Sequence, residues 1–515
     1  MALRTERVAI IGGGIGGLAA GTLLAARGIE VVILERAARP GGKMRDIEIE
    51  GRRIDAGPTV FTMRWVFDEI FAAADADFGQ AVTLRPAEIL ARHAWEPDQR
   101  LDLFADIERS AEAIGELCGP AQARGYRAFC VRAREIYETL EASFIRAARP
   151  SPVSLFFRVG AQRLPSLLRI SPFATLWDAL GEHFQDPRLR QLFGRYATYC
   201  GASPFMAPAT LMLVAHVERE GVWLVDGGMQ RVAQALADLA LARGAAIRTH
   251  AEVSSITTAN GRTTGVMLAN GEHLAADAVI ANADVGAIAD GVLGQGPSDA
   301  VALVPEAARS LSAITWAMVA ETDGFPLQHH NVFFSDDYAA EFDDVFLRRQ
   351  IPRAPTVYVC AQDRGDADQA SGIGRERLFC LINAPPTGDR NAFDAAEVSS
   401  CGQRMFQRLQ QCGLRITPGS SEMIATTPSQ FHRMFPGTGG ALYGRASHGW
   451  AASFRREGAR SRLPGLYLAG GSVHPGPGVP MAALSGRLAA EALLADLAST
   501  SRFLPAAMPG GMSMQ

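Results

Sequence analysis

Apolar residues in this chain gather in short runs that glycines, prolines or charged residues interrupt. Residues 8–11 and 31–34 are two such runs, short and abruptly ended, and both predict buried strands. Between them, residues 18–27 are rich in alanine and leucine and predict a helix, with Gly28 in the position of a C-terminal cap. The chain therefore begins with a predicted strand, helix and strand.

The same pattern predicts two later sheets. Apolar residues at the three-and-four spacing of one helix face predict a long helix within residues 223–246. Strands are predicted at residues 247–256 and 279–284, with a hairpin between them around Asn270 and Gly271. Four β-rich runs between residues 311 and 382 predict a second sheet, and a helix-like stretch follows it that we expect to cover one face.

A glycine-rich turn follows the first strand, and its spacing carries chemistry. Gly12, Gly14 and Gly17 form the pattern G-x-G-x-x-G, in which the glycines permit a tight turn, a close pyrophosphate and a close helix. Glu35 ends the second strand, near the spacing expected for an acid that binds a ribose hydroxyl. A secretory signal is the alternative, but glycines interrupt its apolar run. The motif therefore predicts a dinucleotide site.

Composition and charge narrow the class of protein. A length of 515 residues predicts two or three packed units, and a net charge of −4 gives no reason to expect a nucleic acid partner. Seven cysteines without a C-x-x-C pair suit a reducing cytoplasm, and we predict no metal site. No apolar run is long enough to span a membrane.

Three further motifs surround this predicted site. Gly42 and Lys43 follow Arg36 in a stretch that suits a second approach of backbone to pyrophosphate; an ordinary Pro-Gly turn is the alternative. Residues 54–59 end a short hairpin in a loop that Pro58 stiffens. Near the C-terminus, residues 466–480 predict a strand, a loop rich in glycine and proline, and then a helix beginning near Met481.

Four of these motifs together resemble the FAD-dependent carotenoid desaturases of the bacterial phytoene desaturase type. They are the glycine turn, Glu35 with Arg36, the Gly-Gly-Lys turn and residues 55–59. The resemblance covers residues 5–497 and implies one non-covalent FAD, with its pyrophosphate at the glycine turn and its adenosine ribose on Glu35. It also implies that Val253 meets the adenine through its backbone. The cofactor-binding residues that it implies are Gly12, Gly14, Ile15, Gly17, Glu35, Arg36, Gly42, Lys43, Pro58, Thr59, Val253, Gly471, Val479, Pro480 and Met481.

The resemblance also implies an α/β fold with a Rossmann-like FAD-binding domain that is discontinuous in sequence. We expect this domain to comprise residues 1–75, 220–300 and 450–498. Residues 76–219 are expected to form a mostly helical insert that contacts a membrane, and residues 301–449 a β-sheet domain that binds the substrate. The tail, residues 499–515, is rich in methionine, glycine and proline and is expected to be disordered.

The ending at residues 479–486 and the stretch at residues 330–334 resemble the subfamily that introduces the 3,4 double bond into acyclic 1-hydroxy- or 1-methoxycarotenoids. The reaction implied removes two hydrogens from a C–C bond, with flavin as the hydride acceptor. No residue is marked as the proton acceptor, and His474 is the candidate. His329 and His330 either reach the substrate cavity or form a polar strand end.

Three other functions stay open at this stage. The first is a phytoene desaturase, since the subfamily rests on fewer residues than the family. The second is another flavin oxidase, acting on amines or porphyrinogens. The third is a prenyl-lipid carrier of the GDP dissociation inhibitor type, which retention of the glycines and of Glu35 disfavours.

Residues 151–173 combine apolar residues with arginines and contain no acidic residue. Such a stretch predicts contact with an anionic membrane, through Phe156, Phe157, Leu164, Leu167 and Leu168 in the interface and Arg158, Arg163 and Arg169 at lipid phosphates. A pair of buried helices whose arginines reach the surface is the alternative. We expect a cytoplasmic protein, peripherally associated with the inner membrane, that takes a carotenoid from the bilayer.

Overall fold

The structure is a computed structural model, and it describes residues 6–159, 173–365, 374–419 and 423–502. Its α-helices span Ile15–Ala25, Trp65–Ala72, Phe78–Ala81, Ile107–Cys118, Pro120–Leu140, Pro152–Val159, Leu176–His183, Pro187–Gly194, Leu213–Arg219, Gln230–Ala242, Val285–Ala289, Tyr338–Phe342, Ala395–Gln411, Pro428–Met434 and Val479–Arg502. Among the described residues, no helix combines the length and the apolar character that crossing a bilayer requires.

The strands fall into two main sheets and several smaller ones. They are β1 (Arg7–Ile11), β2 (Glu30–Leu34), β3 (Asp46–Ile49), β4 (Arg52–Asp55), β5 (Leu84–Pro86), β6 (Ile89–Glu96), β7 (Gln99–Phe104), β8 (Trp223–Val225), β9 (Ala246–Arg248), β10 (Val253–Ala259), β11 (Arg262–Leu268), β12 (His273–Ala275), β13 (Ala278–Ala281), β14 (Ser312–Asp323), β15 (His330–Phe333), β16 (Val357–Ala361), β17 (Glu376–Ala384), β18 (Arg415–Pro418), β19 (Ile424–Thr426) and β20 (Leu466–Leu468).

The first main sheet is parallel and has five strands in the order β20-β13-β1-β2-β9. Its central strand β1 is buried from Val8 to Ile11, because helices cover one face of the sheet and the antiparallel strands β10–β12 cover the other. Strands from three distant stretches of the chain meet in this sheet. The prediction of a Rossmann-like α/β layer that is discontinuous in sequence is therefore confirmed.

Two helices from opposite ends of the chain cross in backbone contact beside this sheet. A Cβ atom on Gly486 would lie 2.0 Å from the carbonyl oxygen of Gly16, so no larger residue fits at the crossing. The helix Val479–Arg502 thereby holds the helix Ile15–Ala25 in place at the glycine turn. It also extends past residue 498, where we predicted the tail to begin, and residues 503–515 lie outside the described part of the chain.

The second main sheet is mixed and contains β18-β14-β17-β16-β15-β6-β7, with β19 paired to β14. The predicted covering helix is confirmed as Ala395–Gln411, whose buried residues share a core with Trp316 of β14. Strands β6 and β7 were not predicted, since residues 89–104 fall in the expected helical insert. Arg92 and Asp102 pair across this hairpin at 2.6 Å, and such charged residues obscure its strand periodicity.

The single strand predicted at residues 247–256 is wrong. The chain forms β9 in the parallel sheet, leaves it through His250 at a φ of 53°, and forms β10 in a separate antiparallel sheet with β11 and β12. The predicted hairpin at Asn270 and Gly271 is confirmed as the connection of β11 and β12. Propensity alone identified the β conformation here but not the change of sheet.

Candidate active site

A large cavity lies between the two main sheets. It has a volume of about 870 Å³, near the upper end of the usual range for ligand pockets. Its walls include the glycine turn after β1, the loop at residues 56–60, the inner face of the second sheet, and the loop before the helix Val479–Arg502. One cavity therefore joins the predicted nucleotide motif to the predicted substrate sheet.

The glycine turn forms one end of this cavity, the nucleotide end. Gly12 has a φ of 91°, and its carbonyl accepts a hydrogen bond from Asn282 Nδ2 at 3.0 Å. Glu35 accepts from the backbone N–H groups of Gly13 and Ala37, each at 2.8 Å. Its carboxylate is buried, lines the cavity and has lone pairs left for two further donors, such as the hydroxyls of a ribose.

The second glycine turn packs directly on the first. The N–H of Gly41 donates to the carbonyl of Gly13 at 2.8 Å, and Gly14 forms a parallel bridge with Gly41. A Cβ atom on Gly42 would lie 3.2 Å from the Cα of Gly14, so a side chain there would close the gap between the turns. The cradle has bare backbone walls and the N-terminus of the helix Ile15–Ala25 beside it, which favours an anionic pyrophosphate.

Buried charges stand behind this cradle. Lys43 Nζ donates to the carbonyl of Leu442 at 2.6 Å, and burial lowers the pKa of this lysine, with Asp284 opposing the fall. Burial likewise raises the pKa of Asp284, with Lys43 opposing. Arg456 donates to the carbonyls of Tyr443, Gly471 and Arg445, and burial lowers its pKa to about 10. These groups brace the loops around the cavity.

Asn282, Asp284 and Arg456 all line the cavity and were not predicted from the sequence. A signal existed for the first two. They directly follow β13, and in a parallel sheet ligands bind outside the carboxyl ends of the strands. Arg456 lies in an irregular segment, where no spacing marks it.

The predicted cofactor residues converge on this cavity. All of them line it except Gly17, whose Cβ would lie 2.2 Å from the carbonyl oxygen of Gly12. Gly17 therefore allows the close packing of turn and helix and does not face the cavity. Those that line it are Gly12, Gly14, Ile15, Glu35, Arg36, Gly42, Lys43, Pro58, Thr59, Val253, Gly471, Val479, Pro480 and Met481.

The other end of the cavity, the substrate end, has mostly apolar walls. Strands β14, β16 and β17 supply Ala313, Thr315, Tyr358, Phe379 and Leu381, and helices complete the enclosure. Polar side chains nevertheless enter this wall. Thr59 Oγ1 and Tyr358 Oη lie 2.7 Å apart, and the same tyrosine oxygen is 2.7 Å from His330 Nδ1.

The substrate end opens to the surface through apolar residues that we call the mouth: Pro152, Leu155, Phe173 and Trp450. Phe173 is 76% exposed and Trp450 47% exposed although both line the cavity, and their rings are in contact at 5.6 Å between centroids. The neighbouring Val153 is 66% exposed. A residue that is both cavity-lining and exposed marks the opening.

The histidines singled out in the sequence lie outside the cavity lining. His474 is buried, with its ring edge-on to Phe144 at 5.0 Å between centroids. His330 is also buried, and its Nδ1 lies 2.7 Å from the hydroxyl of Tyr358, which lines the cavity. Donor atoms of His329, His330 and Cys360 lie within 4.8 Å of one another, but Nδ1 of each histidine already has a hydrogen-bond partner.

Comparison with known proteins identifies the class. Residues 15–494 match the family of flavin containing amine oxidoreductases. The chain therefore belongs to the flavin containing amine oxidoreductase family, and it is an FAD-dependent oxidoreductase. The nucleotide end fits this cofactor, since it combines a bare-backbone cradle with a carboxylate that has free lone pairs.

Relatives narrow the class further. The chain is 56% identical over 515 residues to hydroxyneurosporene desaturase from Rubrivivax gelatinosus, covering 99% of this chain and 97% of that protein. It is 30% identical over 499 residues to 1-hydroxycarotenoid 3,4-desaturase from Flavobacterium sp., covering 94% and 98%. These matches confirm the resemblance to the carotenoid desaturases.

The fold is shared more widely. An oxidoreductase from Methanosarcina mazei is 18% identical with a TM-score of 0.58, covering 94% of this chain and 100% of that one. This likeness concerns the fold alone.

Proposed function

We propose that this chain is an FAD-dependent desaturase that introduces the C3–C4 double bond into an acyclic 1-hydroxy- or 1-methoxycarotenoid. The observation that carries the proposal is the shared cavity, in which the nucleotide end meets apolar walls suited to a long hydrocarbon. The names of the two relatives support the choice of substrate and bond. Phytoene, amines and porphyrinogens are the competing substrates.

In this proposal, the pyrophosphate of FAD lies between the two glycine turns and the adenosine ribose on Glu35. The adenine meets the backbone at Val253, at the start of β10. Thr59 and the loop that precedes the helix Val479–Arg502 would hold the flavin end of the cofactor next to the substrate end. Pro58, Gly471, Pro480 and Met481, which also line the cavity, would complete the contacts.

FAD supplies the hydride acceptor that this oxidation requires, a capacity that no protein side chain has. The chain itself encloses the polyene in apolar walls, which exclude water and hold one end of it against the cofactor. His474 stays the candidate for the proton acceptor named from sequence, but it is not among the residues that line the cavity.

Substrate reaches this cavity from a membrane surface. A carotenoid of about 40 carbons, at roughly 0.8 kcal/mol per buried CH₂-sized group, would require tens of kcal/mol to enter water. The mouth offers exposed Phe173 and Trp450 to the bilayer, next to Val153. Residues 160–172 of the predicted docking stretch, including Arg163, Leu164, Leu167, Leu168 and Arg169, lie outside the described residues, and the structure does not describe the side chains of Phe156 and Arg158.

The substrate assignment is tested by incubating the holoenzyme with liposomes and an added electron acceptor. Each reaction contains either a proposed carotenoid or one of the competing substrates. We expect 1-hydroxy- and 1-methoxycarotenoids to lose two hydrogens by mass spectrometry and to absorb at longer wavelength, with little action on phytoene. Conversion of phytoene to lycopene by this enzyme alone would contradict the proposal, as would peroxide formation from amines.

Docking of the mouth on a membrane surface is tested separately. The triple variant Val153→Ser, Phe173→Ser and Trp450→Ser should release the holoenzyme from anionic liposomes in a flotation assay and lower turnover, with bound FAD unchanged. The matched control replaces Leu241 and Leu303, which are 50% and 62% exposed and lie outside the cavity lining, by serine. Equal liposome binding of both variants and the wild type would place the docking surface elsewhere.

A further inference from the structure

A charged group stands in the apolar wall of the substrate end. Arg195 begins a 3-10 helix, Arg195–Cys200, and its side chain lines the cavity. Its Nη1 donates to Tyr199 Oη at 3.1 Å. Its guanidinium carbon lies 5.3 Å and 5.4 Å from the ring centroids of Tyr199 and Tyr358, so two aromatic rings hold the cation in place.

The hydrogen-bonding capacity of Arg195 is largely unused. A guanidinium carries five N–H donors, and among the described residues its only hydrogen bond is the one to Tyr199. No carboxylate of the described chain lies within 4.0 Å of it. Glu218 supplies an opposite charge at longer range; it is buried and lines the same cavity.

Packing alone does not account for this arginine. Arg195 is partly buried and faces the cavity without a directly paired carboxylate, and an apolar side chain of similar volume would suit an apolar wall better. A polyene has no atom that can accept a hydrogen bond. The proposed substrates have such an atom, the oxygen on C1, and it is their only polar group.

We infer that Arg195 donates a hydrogen bond to the C1 oxygen of the substrate and thereby sets which carbons of the polyene lie at the cofactor. The inference rests on the proposed function and adds a binding residue to it. A guanidinium N–H can donate to a hydroxyl oxygen or to a methoxy oxygen, because each oxygen has free lone pairs. Tyr199 and Glu218 form the rest of this polar subsite.

The location of the subsite agrees with the bond to be oxidised. The C1 oxygen is separated from C3 and C4 by only a few bonds, so its binding group must lie close to the reacting carbons. Arg195 lies over the ring of Tyr358, and the hydroxyl of Tyr358 is hydrogen-bonded to Thr59 of the loop at the flavin end. Two side-chain contacts thus connect the subsite to the proposed flavin position.

The test replaces Arg195 by methionine, which keeps the apolar stem and removes the donors. Arg190→Met is the matched control, since Arg190 also lies over an aromatic ring, that of Trp177 at 4.6 Å, but does not line the cavity. Each holoenzyme is assayed with a 1-hydroxycarotenoid, its 1-methoxy counterpart and the same polyene without the oxygen. Binding is measured by quenching of flavin fluorescence, separately from turnover, and the position of the new double bond is determined by NMR.

We expect Arg195→Met to weaken binding and kcat/KM for both oxygenated carotenoids about 10- to 100-fold, the effect of losing a hydrogen bond to a charged group. Binding of the oxygen-free polyene should change little, and any remaining oxidation should occur at mixed positions. Arg195→Lys, which keeps a charged donor, should recover part of the preference, and Arg190→Met should keep all of it.

Several results would overturn the inference. The first is equal binding of the oxygenated and the oxygen-free polyenes by the wild-type enzyme, with or without turnover. Another is an equal loss for all three ligands in a folded, flavin-loaded Arg195→Met variant, which indicates a structural role. Wild-type enzyme that prefers oxygenated carotenoids in binding but forms no 3,4-desaturated product would instead contradict the proposed function and leave the subsite standing.

Discussion

The two ends of the cavity differ in whether backbone groups or side chains form their walls. At the nucleotide end, backbone groups of the turns at Gly12–Gly14 and Gly41–Gly42 form the walls, and Glu35 is held by two backbone N–H groups. At the substrate end, side chains from distant strands and helices form the walls, and Arg195 and Tyr358 are the polar exceptions. A backbone wall tolerates no added volume, whereas a side-chain wall tolerates changes of volume but depends on individual polar groups.

The largest effect is expected where a side chain would fill the backbone cradle. Gly14→Val should abolish FAD binding, because its branched side chain occupies the space that the pyrophosphate needs. Flavin absorbance of the purified, folded variant measures this. Gly115→Ala, in a helix outside the cavity lining where an added Cβ meets only Ala123 at 3.5 Å, should keep full flavin content. Normal flavin in Gly14→Val would show that the cradle is elsewhere.

A second prediction concerns Asp55, which connects the two regions. Its backbone exchanges two hydrogen bonds with the side chain of Gln362, each at 2.9 Å, and its carboxylate accepts from the N–H of Met229 at 2.8 Å. Burial raises the pKa of Asp55 from 3.8 to about 6.

The sign of the pH effect follows from this raised pKa. The contribution of Asp55 to stability is fully present below pH 3.8 and is lost as pH rises through about 6. At about 1.4 kcal/mol per pKa unit, the loss is about 3 kcal/mol. Asp55→Asn should lack this loss, so the difference in unfolding free energy between variant and wild type should change by most of that amount between pH 4 and 7.5. A constant difference across that range would mean that the pKa of Asp55 is ordinary.

Glu35→Gln should weaken FAD binding about 10- to 100-fold, since hydrogen bonds to a charged group contribute about 1.5–3 kcal/mol. Recovery of flavin fluorescence on dilution measures the release, and the melting temperature of the apoprotein should hardly move. Glu252→Gln is the control, because Glu252 lines the same end of the cavity but is 62% exposed. Equal FAD affinity in both variants would remove the ribose role of Glu35.

The smallest effect is expected at the substrate end. Tyr358→Phe keeps the ring against Arg195 but leaves His330 Nδ1 buried without its partner, which should lower the unfolding free energy by about 1–3 kcal/mol. Flavin content should stay at one FAD per chain. Tyr443→Phe should have a smaller effect, since no described residue is hydrogen-bonded to the hydroxyl of Tyr443. Loss of flavin from Tyr358→Phe would contradict the separation of the two ends.

The sequence revealed the nucleotide end because its parts are contiguous. Each glycine turn, and the strand that ends at Glu35, is a local pattern whose chemistry does not depend on the rest of the fold. The meeting of distant stretches of the chain in one sheet could also be anticipated, since the family resemblance implied a discontinuous domain, but the order of the strands was not predicted.

The substrate end could not be predicted in this way. Arg195, Glu218 and Tyr358 belong to a 3-10 helix, the helix Leu213–Arg219 and β16, and only long-range packing brings them together. Strands β6 and β7 were not predicted for a related reason. Strand β6 joins the sheet through parallel pairing with β15, and β7 through pairing with β6, so long-range pairing and not local periodicity sets their place.

The crossing of Gly16 with Gly486 has a consequence for the order in which the protein matures. The parallel sheet is completed by β20, and the glycine turn is held by a helix that begins at Val479, so neither exists until almost the whole chain has left the ribosome. The second sheet needs nothing beyond β19 and can assemble earlier during synthesis. The cavity lies between the two sheets, so its walls are complete only when β20 and this helix are in place.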